Sequence, residues 1–225
     1  MRKYYRLIGT GKTSLALKYC LNFKEENPLG VAWKFKCSSI ELLKESMHEL
    51  WLQITTNCNK NINQSQPTDI EELENIIIKE LRCRENLSYS HIFLFDGVTS
   101  ISKAYVVRFS SKCMHVSNMT IIMTTPLWID ITDSKVVHIE GFSFTEAAHL
   151  FQINPENAGV ACETLAKMLC YNPFAMCIAK AYMRRCHMTF DTMVKVLKEH
   201  GWHAMENSKI TKDEFNDQPL TSLFG

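Results

Sequence analysis

Apolar positions along the chain follow two regimes that change near residue 140. In the first, strand-like runs alternate with helical periods. Leu15, Ala16, Leu17, Tyr19 and Leu21 follow a glycine-containing turn and predict a helix. Val31-Ala32-Trp33-Lys34-Phe35, with Gly30 as the preceding breaker, predicts a strand. Ile40, Leu43, Met47, Leu50, Trp51 and Ile54 recur at helical period behind Ser38 and Glu41, which have capping-box spacing. Residues 57–67, rich in Asn, Gln and Lys, show no apolar period and predict an exposed loop. Thr68 and Glu71 repeat the box before a helix with Ile70, Leu73, Ile77 and Leu81 on one face, expected to stop near Asn86. His91–Phe95 is a nearly continuous apolar run ended by Asp96-Gly97, as in a strand buried on both faces of a parallel sheet. Met119–Met123 predicts a second such strand and Val136–Ile139 a third.

After Gly141 no strand signal returns, and 144–151, 155–170, 173–186 and 190–200 all read as helices. Asn154-Pro155 has the form of a cap followed by proline at the first helical position, and Gly201 that of a stop. The expected architecture is an α/β layer with a mainly parallel sheet over residues 1–140, then a small all-helical subdomain over 141–225. The polar tail from Glu206 carries only a weak pattern.

Composition fits this division. The 225 residues are 46% hydrophobic and 22% charged, enough for two cores. Twenty-five basic against twenty-four acidic residues leave +1, with no long run of either sign, which argues against nucleic acid or an anionic membrane as the main partner. Nine cysteines with no C-x-x-C pair read as reduced thiols, Cys162, Cys170 and Cys177 as small buried hydrophobes, and a cytoplasmic setting follows as an expectation. No stretch approaches the roughly 18 apolar residues of a membrane span, and Met1–Arg6 leads into no signal-like segment.

The candidate chemistry begins at Gly9-Thr10-Gly11-Lys12-Thr13-Ser14, the second half of a phosphate-gripping loop of form G-x-x-x-x-G-K-S/T. Glycines there let backbone N–H groups wrap phosphate oxygens. Lys12 is placed for the β- and γ-phosphates, Thr13 for Mg²⁺, and the following helix aims its positive end at the same group. The loop's first glycine is replaced by Arg6, and Met1–Leu7 holds no clear apolar strand. Taken alone, Gly11-Lys12-Thr13 reads equally as a turn before an ordinary helix. Ile92–Asp96 adds a carboxylate at the end of an apolar strand, the arrangement that positions Mg²⁺, although an Asp-Gly turn closing a core strand gives the same pattern. Gly97 stands where a second acid would orient water, so at most slow ATP hydrolysis is expected. Thr120–Thr125 is a strand ending in hydroxyls, with Thr124 placed to sense a γ-phosphate.

In this order the segments resemble the NB-ARC branch of the signal-transduction (STAND) ATPases, the central domain of apoptosome-forming proteins and plant disease-resistance receptors. Gly11–Ala16 is similar to that family's P-loop, Phe93–Val98 to its Walker B strand and Ile121–Thr125 to its Thr-Thr sensor strand. Ile139–Ser143, with Glu146-Ala147 and Leu150-Phe151, is similar to the stretch leading into its helical subdomain, and Tyr171-Asn172-Pro173-Phe174-Ala175 to its Gly-Leu-Pro-Leu-Ala motif. Asn172 departs from a glycine, and Pro126 from a phosphate-sensing arginine. The resemblance implies an ADP- or ATP-binding switch with Mg²⁺, Pro173 acting as a lid beside the nucleotide, and nucleotide identity setting assembly with other proteins through effector or repeat domains. It leaves oligomeric state open.

Other readings stand beside it. Pro173 serves equally as a plain helix start. A nucleotide-free scaffold would keep the fold for protein contacts, and a small-molecule kinase would need lid arginines, for which only Arg184 and Arg185 offer themselves. His200 and His203 are separated by the helix-breaking Gly201 and make a poor metal pair. Glu71, Glu72 and Glu74 suit the positive end of a helix. Trp33, Trp51, Trp128 and Trp202 read as core or interface anchors. No serine or cysteine sits in a nucleophile elbow.

Overall fold

The computed structural model describes residues 9–56, 67, 69–83, 89–127, 129 and 134–201. Its contacts separate a first unit, the described part of 12–135, from a second, the described part of 136–225 together with residues 9–11. The first unit is α/β. It runs α1 (Lys12–Glu26), β1 (Ala32–Lys36), α2 (Ile40–Thr56), α3 (Ile70–Arg82), β2 (His91–Asp96), α4 (Lys103–Cys113) and β3 (Met119–Met123). The strands form one parallel sheet in the order β1-β2-β3, with Phe35 opposite Phe95, Lys36 opposite Asp96 and Phe93 opposite Ile121.

Strand β2 is central, and its apolar run is explained by two covered faces. Phe93 and Phe95 point to the side of α2, α3 and α4, where they meet Phe35 and Phe109. Phe35 stacks on Phe95 at 4.9 Å between ring centroids and meets Phe93 edge-on at 5.0 Å. Ile92 and Leu94 alternate to the opposite face, where α1 lies against β2 and buries Ala16, Leu17 and Cys20. Each fully buried aromatic or aliphatic side chain here contributes about 1.5–3 kcal/mol.

The caps shift by one residue from their expected places. Ser39 Oγ, not Ser38, accepts from the Leu42 N–H at 3.2 Å, and Asp69 caps α3 by accepting from the Glu71 N–H at 3.1 Å. In both helices the cap directly precedes the first position of the apolar face, Ile40 or Ile70, so core placement fixes where the helix opens. Helix α3 ends at Arg82. Thr68, Asn86, loop residues 57–66, Met1–Leu7 and the tail from Glu206 lie outside the described residues.

Two expectations are corrected. Helix α4 has no counterpart in the sequence reading, because Val106 and Val107 interrupt its helical preference and Ser102 gives it no side-chain cap. The strand expected at Val136–Ile139 does not form: the segment has no regular secondary structure, with Val136 46% and Val137 65% exposed. Among the described residues the sheet holds β1, β2 and β3 alone, and Val136, Val137 and Ile139 join no ladder.

The second unit holds α5 (Phe144–Leu150), a 3₁₀ turn (Pro155–Asn157), α6 (Val160–Met168), α7 (Pro173–Arg185) and α8 (Phe190–His200). Ala147, Ala166 and Ala179 let these helices approach closely around Leu165, Met176 and Met193. Ser143 and Glu146 form a reciprocal capping box at α5. Asn154 caps Pro155 as its dipeptide predicts, but the helix expected over 155–170 splits, with Gly159 opening α6. Cys170 is not buried: it follows the end of α6 in a left-handed conformation, φ 51°, and is exposed, unlike buried Cys162 and half-buried Cys177. Gly201, φ 60°, stops α8. No helix among the described residues is long and apolar enough to cross a membrane.

Candidate functional site

Parallel strands that end together present their last residues and whatever follows them on one edge: β2 ends in Asp96, and Thr124 directly follows β3. Thr124, 6% exposed, donates from Oγ1 to Asp96 Oδ1 at 2.6 Å and accepts from the Gly97 N–H at 2.8 Å. Its own N–H donates to the Phe95 carbonyl at 2.9 Å, which prolongs the ladder to the last residue of the strand. Thr13, in the first turn of α1, donates from Oγ1 to the same Asp96 Oδ1 at 2.6 Å. The threonine of one motif, the aspartate of the second and the hydroxyl of the third thus converge on one oxygen.

Lys34 is the residue the motif reading passed over. It lies opposite Leu94, two positions before the residue opposite Asp96 and on the same face of the sheet, and its Nζ is 3.7 Å from Asp96 Oδ2. Both side chains are largely shielded, 15% and 18% exposed. The available signal was a lysine flanked by Trp33 and Phe35 within a strand, since lysine is rarely buried without a partner.

Cys37 follows β1, and its N–H donates to the Asp96 carbonyl at 2.8 Å. Burial first, and the Asp96 charge second, push its thiol up to about 12, while the hydrogen bond to Asp96 opposes them. It is protonated at neutral pH and supplies neither a nucleophile nor a metal ligand. Ser102 donates to the Cys37 carbonyl, and Thr99 Oγ1 to Ser38 at 3.4 Å, tying the turn after Asp96 to the end of β1. Thr125 is turned away: it donates to the Val98 carbonyl at 2.8 Å and accepts from the Leu127 N–H at 3.0 Å.

Gly9 and Gly11 sit at φ 83° and 87°, and a Cβ at Gly11 would meet nothing within 4 Å, so the concave side of the turn is open there. Thr10 is buried, Lys12 half-buried and Ser14 exposed. Helix α1 carries no acidic residue in its first turn, leaving the dipole's positive end uncompensated by its own side chains. This backbone suits a phosphate group. The fit to Mg²⁺ is incomplete: Thr13 and Asp96 offer two oxygens, but Lys34 already faces the second oxygen of that carboxylate.

Within the second unit, the Phe174 N–H donates to the Gly9 carbonyl at 3.1 Å, and a Cβ on Gly9 would fall 2.7 Å from Phe174 Cβ. Pro173 is the first residue of α7, and Asn172 Oδ1 caps that helix by accepting from the Ala175 N–H at 3.1 Å. Gly9 and Asn172–Phe174 are therefore neighbours within this unit.

The remaining candidates take structural roles. Glu74 is not a solvated first-turn acid: it is buried and held by Arg108 and Lys112 of α4, each at 2.8 Å. Glu71 and Glu72 are exposed in the first turn of α3. Arg184 and Arg185 are exposed in the last turn of α7. Trp33 Nε1 donates to the Ser46 carbonyl at 3.1 Å, and Trp51 is buried in α2. His203, Trp128 and Trp202 lie outside the described residues. Among the described residues no group of three or more His, Cys, Asp or Glu is placed to hold a metal ion. Neither a protein-family model nor a curated protein matches the chain.

Proposed function

We propose that this chain is a nucleotide-binding regulatory switch of the NB-ARC kind, in which bound ADP or ATP sets assembly with partner proteins and hydrolysis is slow or absent. One observation carries it: Thr13 and Asp96, picked from separate motifs, meet at 2.6 Å at the carboxyl ends of parallel strands, where open α/β sheets bind ligands. Lys12 and the N-terminus of α1, whose first turn carries no acid of its own, add positive charge beside this pair. Gly97 after Asp96 leaves no adjacent carboxylate for activating water, which suits a switch better than a fast hydrolase. Thr13 and Asp96, the oxygens that a cation accompanying the nucleotide would use, are already engaged with each other and with Lys34.

Such a switch works by differential affinity: a nucleotide shifts the populations of two arrangements only as far as it binds one better than the other. The test is calorimetric titration with ADP and ATP, using Lys12→Ala as control. Binding heat from the natural chain that disappears in the variant supports the switch. Equal heat from both proteins dismisses this site.

A second reading has its own observation. Asp96 is already satisfied by Thr13, Thr124 and Lys34, so the cluster can hold the strand ends together with no ligand, as in a nucleotide-free scaffold for protein contacts. A scaffold shows no rise in melting temperature with either nucleotide. A binder gains about 2.7 kcal/mol at a hundredfold excess over Kd.

A further inference from the structure

We infer that the Lys34 ammonium takes the place of a divalent cation against Asp96, so that the chain holds a nucleoside di- or triphosphate without Mg²⁺. This rests on the nucleotide reading above. A carboxylate that ligates Mg²⁺ must turn an unshared oxygen toward a compact ion that demands near-octahedral geometry. Asp96 has little of either oxygen to offer. Oδ1 accepts two short hydroxyl hydrogen bonds, from Thr13 and Thr124, both 2.6 Å. Oδ2 faces Lys34 Nζ at 3.7 Å.

The lysine is held there by the fold. The parallel register sets Lys34 opposite Leu94 and Lys36 opposite Asp96, so Lys34 reaches the carboxylate diagonally along the face that α1 covers. Its side chain is 15% exposed, and a shielded ammonium needs a counter-charge, which Asp96 supplies. The same charge repels a dication approaching that carboxylate. Thr13 is likewise committed, its proton directed at Asp96. The positive charge that Mg²⁺ brings to such a site is thereby built into β1, and the phosphates are left to Lys12 and the N-terminus of α1.

The experiment measures the affinity for a fluorescent ADP derivative in excess Mg²⁺ and in excess EDTA, for the natural chain, Lys34→Met and Lys34→Arg. Manganese binding without nucleotide is followed by electron paramagnetic resonance. For the natural chain and Lys34→Arg the expectation is an affinity unchanged within about threefold by EDTA, and free Mn²⁺. Lys34→Met should bind ADP at least about tenfold more tightly with Mg²⁺ than with EDTA, and immobilise Mn²⁺. Equal Mg²⁺ dependence in all three proteins overturns the inference while leaving the nucleotide switch standing. Absence of ADP binding under every condition overturns the switch itself and the inference with it. Should Lys34→Met not fold, Mn²⁺ immobilised by the natural chain alone, or ADP affinity lost in EDTA, is sufficient to overturn it.

Discussion

Thr124 and Asp96, at the ends of neighbouring parallel strands, are joined by a hydrogen bond of 2.6 Å in which the threonine hydroxyl donates to a carboxylate that also receives Thr13. The same hydroxyl accepts from the Gly97 N–H at 2.8 Å, so one buried oxygen links the carboxylate to the backbone that turns away from it. Thr124→Val keeps the shape and removes both bonds. It should cost about 1–3 kcal/mol in urea unfolding, since a charged acceptor and a backbone donor lose their partner together. Thr124→Ser should retain most of that stability. A valine variant as stable as the natural protein would remove the cluster's structural role.

Glu74 offers a second measurement. It is 1% exposed and paired with Arg108 and Lys112, whose side chains are 40% and 30% exposed. Glu74→Gln should destabilise by about 1–3 kcal/mol, below the full cost of a buried pair because both cations can turn to solvent. Arg108→Ala should cost less than about 1 kcal/mol, because Lys112 still holds the carboxylate. A double-mutant cycle reads the coupling directly.

Two glycines of one short turn should respond differently to alanine. At Gly11, φ 87° is the whole difficulty, since a Cβ meets nothing within 4 Å, and about 1–2 kcal/mol is expected. At Gly9 the strain of φ 83° is joined by a Cβ 2.7 Å from Phe174, and the loss should reach about 2–4 kcal/mol. Thermal melting of the two variants decides the ranking. Equal losses would mean the Phe174 contact yields freely.

Buried thiols set an alkaline limit. Burial pushes Cys20 up to about 11 and, with Asp96, Cys37 up to about 12, from an ordinary value of 9.0. Burial, then the Glu74 charge, also drives Cys113 upward. The folded state keeps these protons where the unfolded chain releases them, so their contribution is intact below pH 9 and is lost as pH rises from there through about 12. Urea midpoints should therefore fall above pH 9, and less steeply in Cys37→Ala. Equal slopes for the two proteins would exclude Cys37 as a contributor. At neutral pH, exposed Cys83, Cys170 and Cys186 should react with a thiol reagent in the folded protein, while buried Cys20, Cys37, Cys113 and Cys162 wait for unfolding.

The chain's local patterns determined a good deal. Met119–Met123 and Phe190–His200 occupy the ranges that apolar periodicity marks out, because a strand covered on its faces and a helix with one covered face leave different spacings in the sequence. Asn154 and Asn172 before proline announce their helix starts, since the cap and the ring both act within four residues. Thr13, Asp96 and Thr124 could be singled out because each follows or precedes a recognisable run.

What the sequence left open depends on partners far along the chain. Val136–Ile139 has strand composition, yet forms no strand, because composition alone does not supply the neighbouring strand that a ladder needs. Helix α4 has a weak local pattern and is held by Phe109 against Phe35 and by Arg108 and Lys112 on Glu74. Lys34 looked like the polar member of an alternating strand. Only the register of β1 on β2, which sets Lys36 opposite Asp96, turned it toward the carboxylate. Periodicity records whether a side chain is covered; tertiary packing alone decides by what, and the charge on Asp96 is answered by residues 62 and 83 positions away because the sheet and α1 bring them there.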